Sequence, residues 1–401
     1  MGDYLDEYDA IDDPAAGLAR LAGWLRSDWR ELFAELRAHR PVLRTPAFTL
    51  VTRYDDVAAA LSRPEVFTVG AYTGPLEAAV GGPIMLTRDG TASNWRERGL
   101  MQAVLAPEDV PKVRELTGRL ADQALDEAEP YGRIEAVGEL FRRVPLEVCA
   151  WYFGFPGPDQ QTLSAWSRAV MTDVTANLPG DPGIRAASVE AGAEMMAYLR
   201  KLVAERREGP PGEDIVGRLV RLGVPTELGF DDERMAVNIS SFLLGFVENA
   251  AGSMTNAARQ LLARERTEVT DADVWEALRF DPFLKMIARV CVRDHRLPSG
   301  SVVEAGGLVL IAVASAMFDE DMLDRPEEFR PGRPPDAYLH FGYGPHACLG
   351  AHSGAVVITE TLRRLLRRPG VRMLPPPDDA VTYDRGVFPD RMLLGLGAAG
   401  R

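Results

Sequence analysis

The sequence predicts a mixed α/β fold in which α-helices predominate. Residues 93–263 show mostly helical apolar spacing, whereas short apolar and partly β-branched runs, typical of strands, follow Arg279. The 401 residues include 46% hydrophobic and 26% charged side chains, which is typical of a globular protein with ample core. The chain shows no internal repeat, low-complexity tract or linker, so we expect one domain over residues 1–401.

Composition excludes several classes of function. A net charge of −14 argues against nucleic acid as a partner, because phosphate binding requires a basic surface. No apolar run reaches the ~20 residues needed to cross a bilayer, and residues 1–7 lack the basic and apolar regions of a signal peptide. The cysteines, Cys149, Cys291 and Cys348, have no paired spacing and suggest neither disulfides nor a zinc site. We therefore expect a cytoplasmic protein that is independent of membranes.

The first elements follow from apolar spacing. Residues 21–40 predict one amphipathic helix, since their apolar side chains share a stripe, and Pro41 would end it. Residues 42–44 and 48–52 predict a small β-hairpin, and residues 55–61 predict another helix.

The middle of the chain predicts a loop and then helices. Residues 67–90, rich in glycine and proline, predict a long functional loop. Further on, Asp231 and Asp232 can cap a helix that runs to about Ala263. Roughly 33 residues at ~1.5 Å each make this helix about 50 Å long, enough to traverse a domain. Breaks in the helical region are expected at Pro107 and at residues 156–158, 179–182 and 209–212.

The pattern changes in the last third of the chain. Residues 287–292 and 308–313 predict strands, because they are apolar and partly β-branched. Four prolines then mark an irregular meander: Pro326, Pro331, Pro334 and Pro335. Residues 371–396 predict further short strands.

Residues 341–350, FGYGPHACLG, place one cysteine among small turn-forming residues, directly before an apolar, helix-like run that reaches Arg368. Glycines let a backbone turn tightly and approach a large flat ring. Amides near the start of the following helix, and its dipole, would stabilise the Cys348 sulfur as an anion. A thiolate is a strong axial donor to haem iron and promotes O–O bond cleavage. The alternative is a glycine-rich turn around a buried cysteine.

The pattern FGxGxHxCxG resembles the haem-binding loop of the cytochromes P450, and the resemblance extends over nearly the whole chain. It implies a cytochrome P450 fold, with a long central helix over the haem and small β-sheets. It also implies haem b (iron protoporphyrin IX) as cofactor, Cys348 as the axial metal ligand, and cofactor contacts from Phe341, Gly342 and Gly350.

Glu276 and Arg279 match the ExxR motif of this family. Spaced i and i+3, they share one helix face, and such a pair alone is usually a solvated ion pair. In the family the pair hydrogen-bonds the meander and holds the cysteine loop in place. The resemblance therefore implies a structural role for both residues.

Buried haem propionates need cationic or hydrogen-bonding partners. Three positions match the family's propionate ligands: Arg98, Arg289 and His346. For Arg98 the alternative is an ordinary surface charge, like the nearby Arg96. Asn94 stands where the family often has a second propionate-binding histidine, which implies a neutral contact in place of a charged one.

The centre of the long helix departs from the family pattern. Oxygen-activating members usually carry AGx(E/D)T, whose threonine hydroxyl lies over the haem and helps to deliver protons to bound dioxygen. Here Glu248 matches the acid, but Asn249 replaces the threonine. An amide relays protons less readily than a hydroxyl. Phe246 and Val247 also replace small or polar residues, which would dry and narrow the pocket.

Two accounts of Asn249 stay open, both with Glu248 and Asn249 as the catalytic candidates. In the first, water or substrate takes over proton delivery and the enzyme is a monooxygenase. In the second, it is a reductant-independent hydroperoxide isomerase, dehydratase or peroxygenase, because P450-fold enzymes that rearrange hydroperoxides or endoperoxides carry an asparagine in this helix. Their substrate already contains the O–O bond, so the amide would orient a peroxide oxygen.

The substrate-facing positions implied by the resemblance are mostly apolar, which suits a hydrophobic small molecule. They are Phe242, Phe246, Leu284, Lys285, Met286, Ile287 and Phe388. Lys285 is the exception, and two interpretations stay open: a partner for a carboxylate on an acidic substrate, or a snorkelling surface lysine.

A run of arginines after the cysteine loop predicts a basic face on an otherwise acidic protein: Arg363, Arg364, Arg367 and Arg368. In the family an acidic ferredoxin docks on this side, and electrostatic steering would favour the encounter; a solvated helix face is the alternative. With no reductase domain recognised, we expect a separate ferredoxin and ferredoxin reductase to supply electrons. The expected function is oxidation of a small hydrophobic metabolite in secondary metabolism. A non-catalytic haem-binding protein is the alternative from another class.

Overall fold

The structure is a computed structural model that describes residues 3–177, 180–266, 268–378, 380–383 and 387–397. The helices in these ranges are α1 (Asp3–Asp9), α2 (Pro14–Ser27), α3 (Trp29–His39), α4 (Tyr54–Leu61), α5 (Gly70–Val80), α6 (Ala92–Val104), α7 (Val110–Ala128), α8 (Arg143–Val148), α9 (Gln160–Ala176), α10 (Pro182–Glu208), α11 (Ile215–Leu222), α12 (Asp232–Leu262), α13 (Asp271–Phe280), α14 (Val313–Ala316) and α15 (Ala351–Leu366). None of these described helices is both long and apolar enough to cross a membrane.

The strands are short. They are β1 (Val42–Arg44), β2 (Thr49–Val51), β3 (Phe67–Thr68), β4 (Arg133–Glu135), β5 (Ile287–Cys291), β6 (His295–Arg296), β7 (Val302–Val303), β8 (Leu308–Ile311), β9 (Arg372–Met373) and β10 (Leu393–Gly395). Two π-helical turns, Val137–Arg142 and Cys149–Phe153, flank α8.

The chain divides into two compact units, each assembled from two stretches of sequence. The first consists of Met1–Ala71 and Arg279–Cys348, and the second of Tyr72–Leu278 and Leu349–Arg401. The expectation of one domain over residues 1–401 stays a prediction.

The first unit is built on a five-stranded sheet in the order β1-β2-β8-β5-β3, in which β2 and β8 pair in parallel and the other neighbours are antiparallel. The hairpin predicted at residues 42–52 is β1 and β2, and the two strands predicted after Arg279 are β5 and β8. Helices α2, α3 and α4 contribute apolar side chains to the same core, among them Phe33. Along β5, Arg289 and Cys291 are buried, so this strand fixes the position of Arg289.

The single helix predicted over residues 21–40 is wrong, because α2 and α3 meet at Asp28. Asp28 has φ −127° and ψ 29°, outside the helical range. The hydroxyl of Ser27 donates both to the carboxylate of Asp28 and, at 3.2 Å, to the carbonyl of Gly23. Short polar side chains compete with the backbone for hydrogen bonds in this way, which explains the break.

The second unit is mostly helical and contains the long helix α12, of 31 residues, which packs against α9, α10 and α15. The carboxylate of Asp231 caps it by accepting from the N–H of Arg234 at 2.8 Å. At ~1.5 Å per residue, α12 is about 46 Å long, so the predicted long helix is confirmed. A three-stranded sheet in the order β4-β10-β9 uses two short strands near the end of the chain.

The long loop predicted over residues 67–90 is wrong, because this region contains β3, α5 and a 3-10 turn at Met85–Thr87. Helix α5 forms despite Pro75 in its interior, where proline removes a backbone hydrogen bond. Helix α10 approaches it so closely that a Cβ at Gly192 would lie 2.2 Å from the carbonyl oxygen of Ala79. Tertiary packing therefore overrides the local preference for a loop.

Candidate active site

The cysteine loop is closed by backbone hydrogen bonds. The N–H of Cys348 donates to the carbonyl of Phe341 at 2.8 Å, and the N–H of Ala347 donates to that of Gly344 at 3.0 Å. Cys348 is exposed, whereas Cys149 and Cys291 are buried. Burial raises the pKa of both of these buried thiols, so neither is suited to bind a metal as a thiolate. Cys348 alone among the three cysteines is placed to take a ligand.

Two glycines give this loop its shape. Gly342 and Gly344 have φ angles of 76° and 72°, in the left-handed region that residues with a Cβ avoid. A Cβ at Gly344 would also lie 2.6 Å from the carbonyl oxygen of Leu61, the last residue of α4. Gly344 is therefore required by its backbone conformation and by its close contact with α4.

Strand β5 begins beside the loop. The Cδ1 atom of Ile287 lies 3.8 Å from the position that a Cβ of Gly342 would take. Two residues along the strand, Arg289 is 4% exposed, and its Nη1 donates to the carbonyl of Ala288 at 2.8 Å. His346 is half-buried, in the 3-10 turn at the middle of the loop. The structure thus brings Ile287 to the loop and places Arg289 on the same strand.

Arg279 anchors the segment that leads to the loop. Its guanidinium donates to the carbonyls of Met317 and Pro326, both at 2.7 Å, and of Glu328 at 3.3 Å. Its side chain is fully buried, as is that of Glu276 one turn earlier in α13. A buried arginine with three carbonyl acceptors is a structural anchor and not a solvated surface charge.

In the second unit, Asn94 and Arg98 lie one turn apart on α6, and both are buried. The Nδ2 of Asn94 donates to the carbonyl of Met85 at 2.7 Å, so this amide holds the segment that precedes α6. Between them, the carboxylate of Glu97 accepts from Arg234 of α12 at 2.7 and 2.8 Å. Glu97 and Arg234 match no motif, so the sequence carries no signal for this link between α6 and α12.

Glu248 of α12 is fully buried in an ion pair. Arg142 donates to its two carboxylate oxygens at 2.8 and 3.2 Å, and also to the carbonyl of Pro389 at 3.0 Å. Arg142 ends the π-helical turn Val137–Arg142, and turns of this kind are frequent at functional sites. The sequence does not predict this partner, because it lies 106 residues away in the chain.

Asn249, the next residue, is half-buried and bonds to its own helix. Its Nδ2 donates to the carbonyl of Gly245 at 3.0 Å. Its Oδ1 is buried and accepts no hydrogen bond from the residues that the structure describes. Gly245 is exposed, and beyond the local helix backbone and adjacent residues no described atom lies within 4 Å of where its Cβ would be. The surface of α12 at Gly245 therefore borders open space.

An aromatic cluster lies on the same helix. The ring of Phe153 stacks on Phe242, with centroids 5.0 Å apart, and meets Phe246 edge-on at 5.2 Å. Phe153 ends the second π-helical turn, Cys149–Phe153. Phe153 was not predicted as a site residue. Its ring contacts fix the positions of Phe242 and Phe246, which were predicted to face the substrate.

The other predicted substrate positions have varied surroundings. Phe388 is fully buried, with the Arg168 guanidinium 6.0 Å from its ring centroid. Leu284 is exposed and Met286 is half-buried. The Nζ of Lys285 lies 5.6 Å from the centroid of the Trp29 ring, a cation–π contact. Gly350 is the residue before α15. Whether these residues contact substrate or cofactor stays a prediction.

The basic face predicted after the cysteine loop is wrong for three of its four arginines, because acidic side chains neutralise them. Arg363 pairs with Glu360 and Asp271, Arg364 with Glu360 and Asp122, and Arg368 with Asp122, Asp126 and Glu129. Burial alone would raise the pKa of Glu360, but the hydrogen bond from Arg364 and the nearby guanidinium charges hold it below its usual value. Arg367 is exposed.

These groups fit a thiolate-ligated haem. A flat ring needs an exposed thiol on a loop whose backbone can turn tightly, and Cys348 with Gly342 and Gly344 provides one. Buried propionates need buried cations, and Arg98 and Arg289 are 9% and 4% exposed.

Comparisons with known proteins agree with this chemistry. The family model of cytochrome P450 matches residues 254–387. The chain is 30% identical over 369 residues to nocardicin C N-oxygenase of Nocardia uniformis subsp. tsuyamanensis, covering 86% of this chain and 89% of that protein. It is 28% identical over 406 residues to the cytochrome P450 monooxygenase PikC of Streptomyces venezuelae, covering 96% of this chain and 93% of that one.

Among solved structures, that of CalO2 aligns with a TM-score of 0.81 at 24% identity, over 94% of this chain and 98% of that one. The likeness confirms the predicted fold class, mixed α/β with predominant helices.

Proposed function

Because this chain belongs to the cytochrome P450 family, we propose that it is a haem-thiolate monooxygenase that oxidises a small hydrophobic metabolite. The observation that carries the proposal is the exposed Cys348, held in a loop that two left-handed glycines shape. The names of two relatives, an N-oxygenase and a monooxygenase, support an oxidative reaction of this kind.

The proposed cofactor is haem b. Cys348 would bind its iron through the thiolate, and Arg98, Arg289 and His346 would bind its propionates, as their match to the family's motifs implies. When bound, thiolate-ligated haem supplies the chemistry that cleaves an O–O bond. The burial of both arginines supports their assignment, since a buried carboxylate needs a charged hydrogen-bond donor.

Proton delivery in this proposal does not use the usual acid and hydroxyl. Arg142 donates to both carboxylate oxygens of Glu248 in a buried ion pair, so this carboxylate is engaged with the guanidinium and links α12 to the turn Val137–Arg142. Asn249 has no hydroxyl. Water or a hydroxyl group of the substrate is therefore assigned the task of delivering protons.

A second candidate function follows from Asn249. A reductant-independent hydroperoxide isomerase, dehydratase or peroxygenase takes a substrate that already contains the O–O bond, so it requires no proton relay to dioxygen. The ion-paired Glu248 and the amide of Asn249 are compatible with such an enzyme.

One experiment tests both candidates. The ferric enzyme is mixed anaerobically with a panel of lipid hydroperoxides, without an electron donor, and products are analysed by mass spectrometry. The monooxygenase proposal expects no fast isomerisation, and product formation only when oxygen, ferredoxin and reductase are supplied. Fast conversion to isomers would replace it by the second candidate. No turnover under either condition would favour a non-catalytic haem-binding protein.

The proposed substrate is apolar because two of the proposed substrate-facing residues, Phe242 and Phe246 of α12, are aromatic. Their contacts with Phe153 hold both rings in place. The cation–π contact of Lys285 with Trp29 supports the packing interpretation of this lysine over a carboxylate anchor. Ferredoxin and ferredoxin reductase remain the proposed electron donors, although the ion pairs of α15 give no support for docking on its arginines. The cytoplasm remains the proposed location.

A further inference from the structure

The five-stranded sheet of the first unit ends at β1, which has a neighbour, β2, on one side only within the described chain. Next to this ladder, the N–H of Thr52 donates to the carbonyl of Pro41 at 3.0 Å. Bonded and non-bonded pairs alternate along an antiparallel ladder, so Leu43 faces β2 whereas Val42 and Arg44 turn their N–H and C=O groups outward. No described group bonds to these outward groups. Such an edge is a template for another strand.

Strand β7 has a second open edge. The N–H of Leu297 donates to the carbonyl of Ser301 at 2.8 Å, and Val302 lies opposite Arg296 of β6. By the same alternation, the backbone of Val302 points away from β6. Its carbonyl accepts from Nη2 of Arg44 at 2.6 Å, so this edge faces β1.

An open groove of about 410 Å³ lies between the two edges. It is lined by Arg40, Val42, Leu43, Arg44, Ser301 and Val302. Strands β1 and β7 do not pair with each other in the described part of the chain, and the Arg44 side chain spans from one to the other instead. An extended polypeptide carries donors and acceptors along both of its edges, so it is the kind of ligand that can pair with β1 and β7 at once.

The charges at the groove favour an acidic ligand. Arg40 pairs with Asp9 and Arg44 with Glu304, and these four side chains are 32–68% exposed. A carboxylate of a ligand can therefore replace either partner at little cost. Arg296, opposite Val302, has no carboxylate partner among the described residues. Cations thus exceed carboxylates here, although the chain as a whole has a net charge of −14.

We propose that the groove between β1 and β7 is a docking site for an extended acidic segment of a partner protein, which adds as a strand between them. Its backbone bonds to the outward N–H and C=O groups of Val42, Arg44 and Val302. Its carboxylates pair with the arginines of the groove, and Arg44 leaves the carbonyl of Val302 to do so. The inference goes beyond the proposed function, because the groove lies within the first unit and includes none of the proposed haem or substrate residues.

The test uses synthetic peptides as probes of the holoprotein. The first, acetyl-EVEVEVE-amide, alternates acidic and β-branched residues; acetyl-KVKVKVK-amide reverses its charge, and an N-methylvaline form of the first lacks the N–H groups of one edge. In calorimetry we expect the acidic peptide to bind at least about 10-fold more tightly than either control. Hydrogen exchange, measured by mass spectrometry, should slow in the fragments that contain Val42, Arg44 and Val302, and not in the β4-β10-β9 sheet.

Variants of β1 separate backbone pairing from charge. Val42 is the first residue of β1, a position where a sheet tolerates proline, and the fold does not use its N–H. Val42→Pro should stay folded and weaken binding of the acidic peptide about fivefold, whereas Val42→Ala, which keeps the N–H, should bind within about twofold of wild type. Arg44→Gln should weaken binding about threefold at low salt, and the difference should vanish at about 1 M salt.

Several results would overturn the inference. They are equal binding of the three peptides, no binding of the acidic one, equal binding to Val42→Pro and Val42→Ala, and slowed exchange elsewhere but not at the groove. Self-association of wild type that Val42→Pro abolishes would make a second copy the occupant in place of an acidic partner. If circular dichroism shows that Val42→Pro does not fold, hydrogen exchange in wild type and the salt dependence of Arg44→Gln decide the question.

Discussion

The buried ion pair between Arg142 and Glu248 leads to a stability prediction that can be worked from the structure. Glu248 is fully buried and the Arg142 side chain is 12% exposed. Replacing Arg142 with Met keeps most of the side-chain volume but leaves a buried carboxylate without its cation, and the carbonyl of Pro389 without its donor. Removing one partner of a buried pair typically costs about 3–5 kcal/mol.

We therefore expect Arg142→Met to lower the free energy of unfolding by about 3–5 kcal/mol. Replacing both residues, as Arg142→Met with Glu248→Leu, removes both charges, so the double variant should lie within about 2 kcal/mol of wild type. The assay is urea unfolding of the holoprotein, followed by circular dichroism, for wild type, both single variants and the double variant. A coupling energy of at least about 2 kcal/mol between the two positions is expected.

The exposed pair of Arg200 and Glu233 provides a matched control. Its atoms are as close, at 2.7 Å, but the side chains are 46% and 48% exposed. Arg200→Met should cost at most about 1 kcal/mol, because solvent screens exposed pairs. If Arg142→Met costs no more than this control, or if the double variant is as unstable as the single ones, the reasoning about burial is refuted.

Three further predictions concern the cysteine loop and α15. Cys348→Ala should abolish the thiolate-type ferrous–CO spectrum, whereas Cys149→Ala should keep it, because Cys149 is buried and Cys348 is exposed. Gly344→Ala should destabilise the holoprotein by about 2–5 kcal/mol in urea unfolding, from backbone strain plus the contact with α4, and should speed loss of haem. The pKa of Glu360 is held below its usual value of 4.5 by its arginine neighbours. The ionised carboxylate therefore stabilises the fold above pH 4.5, and this stabilisation is lost as the pH falls. In Glu360→Gln the free energy of unfolding should decrease less between about pH 5 and pH 3 than it does in wild type.

Each of these has its own check. Gly300 also has a positive φ, 86°, but no described atom within 4 Å of its Cβ position, so Gly300→Ala should show only the backbone strain, of about 1–2 kcal/mol. Equal losses for the two glycine variants would disprove the contact argument. If Cys348→Ala keeps the thiolate-type ferrous–CO spectrum, the assignment of Cys348 as the haem ligand is refuted. If the stability of Glu360→Gln depends on acidic pH as that of wild type does, this carboxylate does not determine acid stability.

Local chemistry predicted much of the fold. The Asp231 cap and the apolar pattern located α12, and β-branched runs located β5 and β8. The prediction failed where distant packing decides. Pro75 favours a loop at residues 67–90. The helix α5 forms there because it packs closely against Gly192 of α10, which is more than a hundred residues away in the sequence.

The same distinction applies to the site. Cys348 and its glycines lie within ten residues, so their pattern is visible in the sequence. Arg142 and Phe153 come from another part of the chain, and their role depends on π-helical geometry that apolar periodicity does not reveal. The arginines after the cysteine loop were expected to form a basic face, but three of them have acidic partners. Glu360 is a neighbour within α15, whereas Asp122 and Asp271 lie on other elements and are not visible from the local sequence.

The two π-helical turns make the length of this region as important as its residue types. A π turn is in effect an α-helical turn that has accommodated one additional residue. Deleting a residue from Val137–Arg142 or from Cys149–Phe153 would return the turn to α geometry and rotate the flanking side chains relative to each other by about 100°. Arg142 would then lose Glu248, or Phe153 would lose its aromatic neighbours. Single-residue gaps in this stretch should therefore be rare among homologues that keep both contacts.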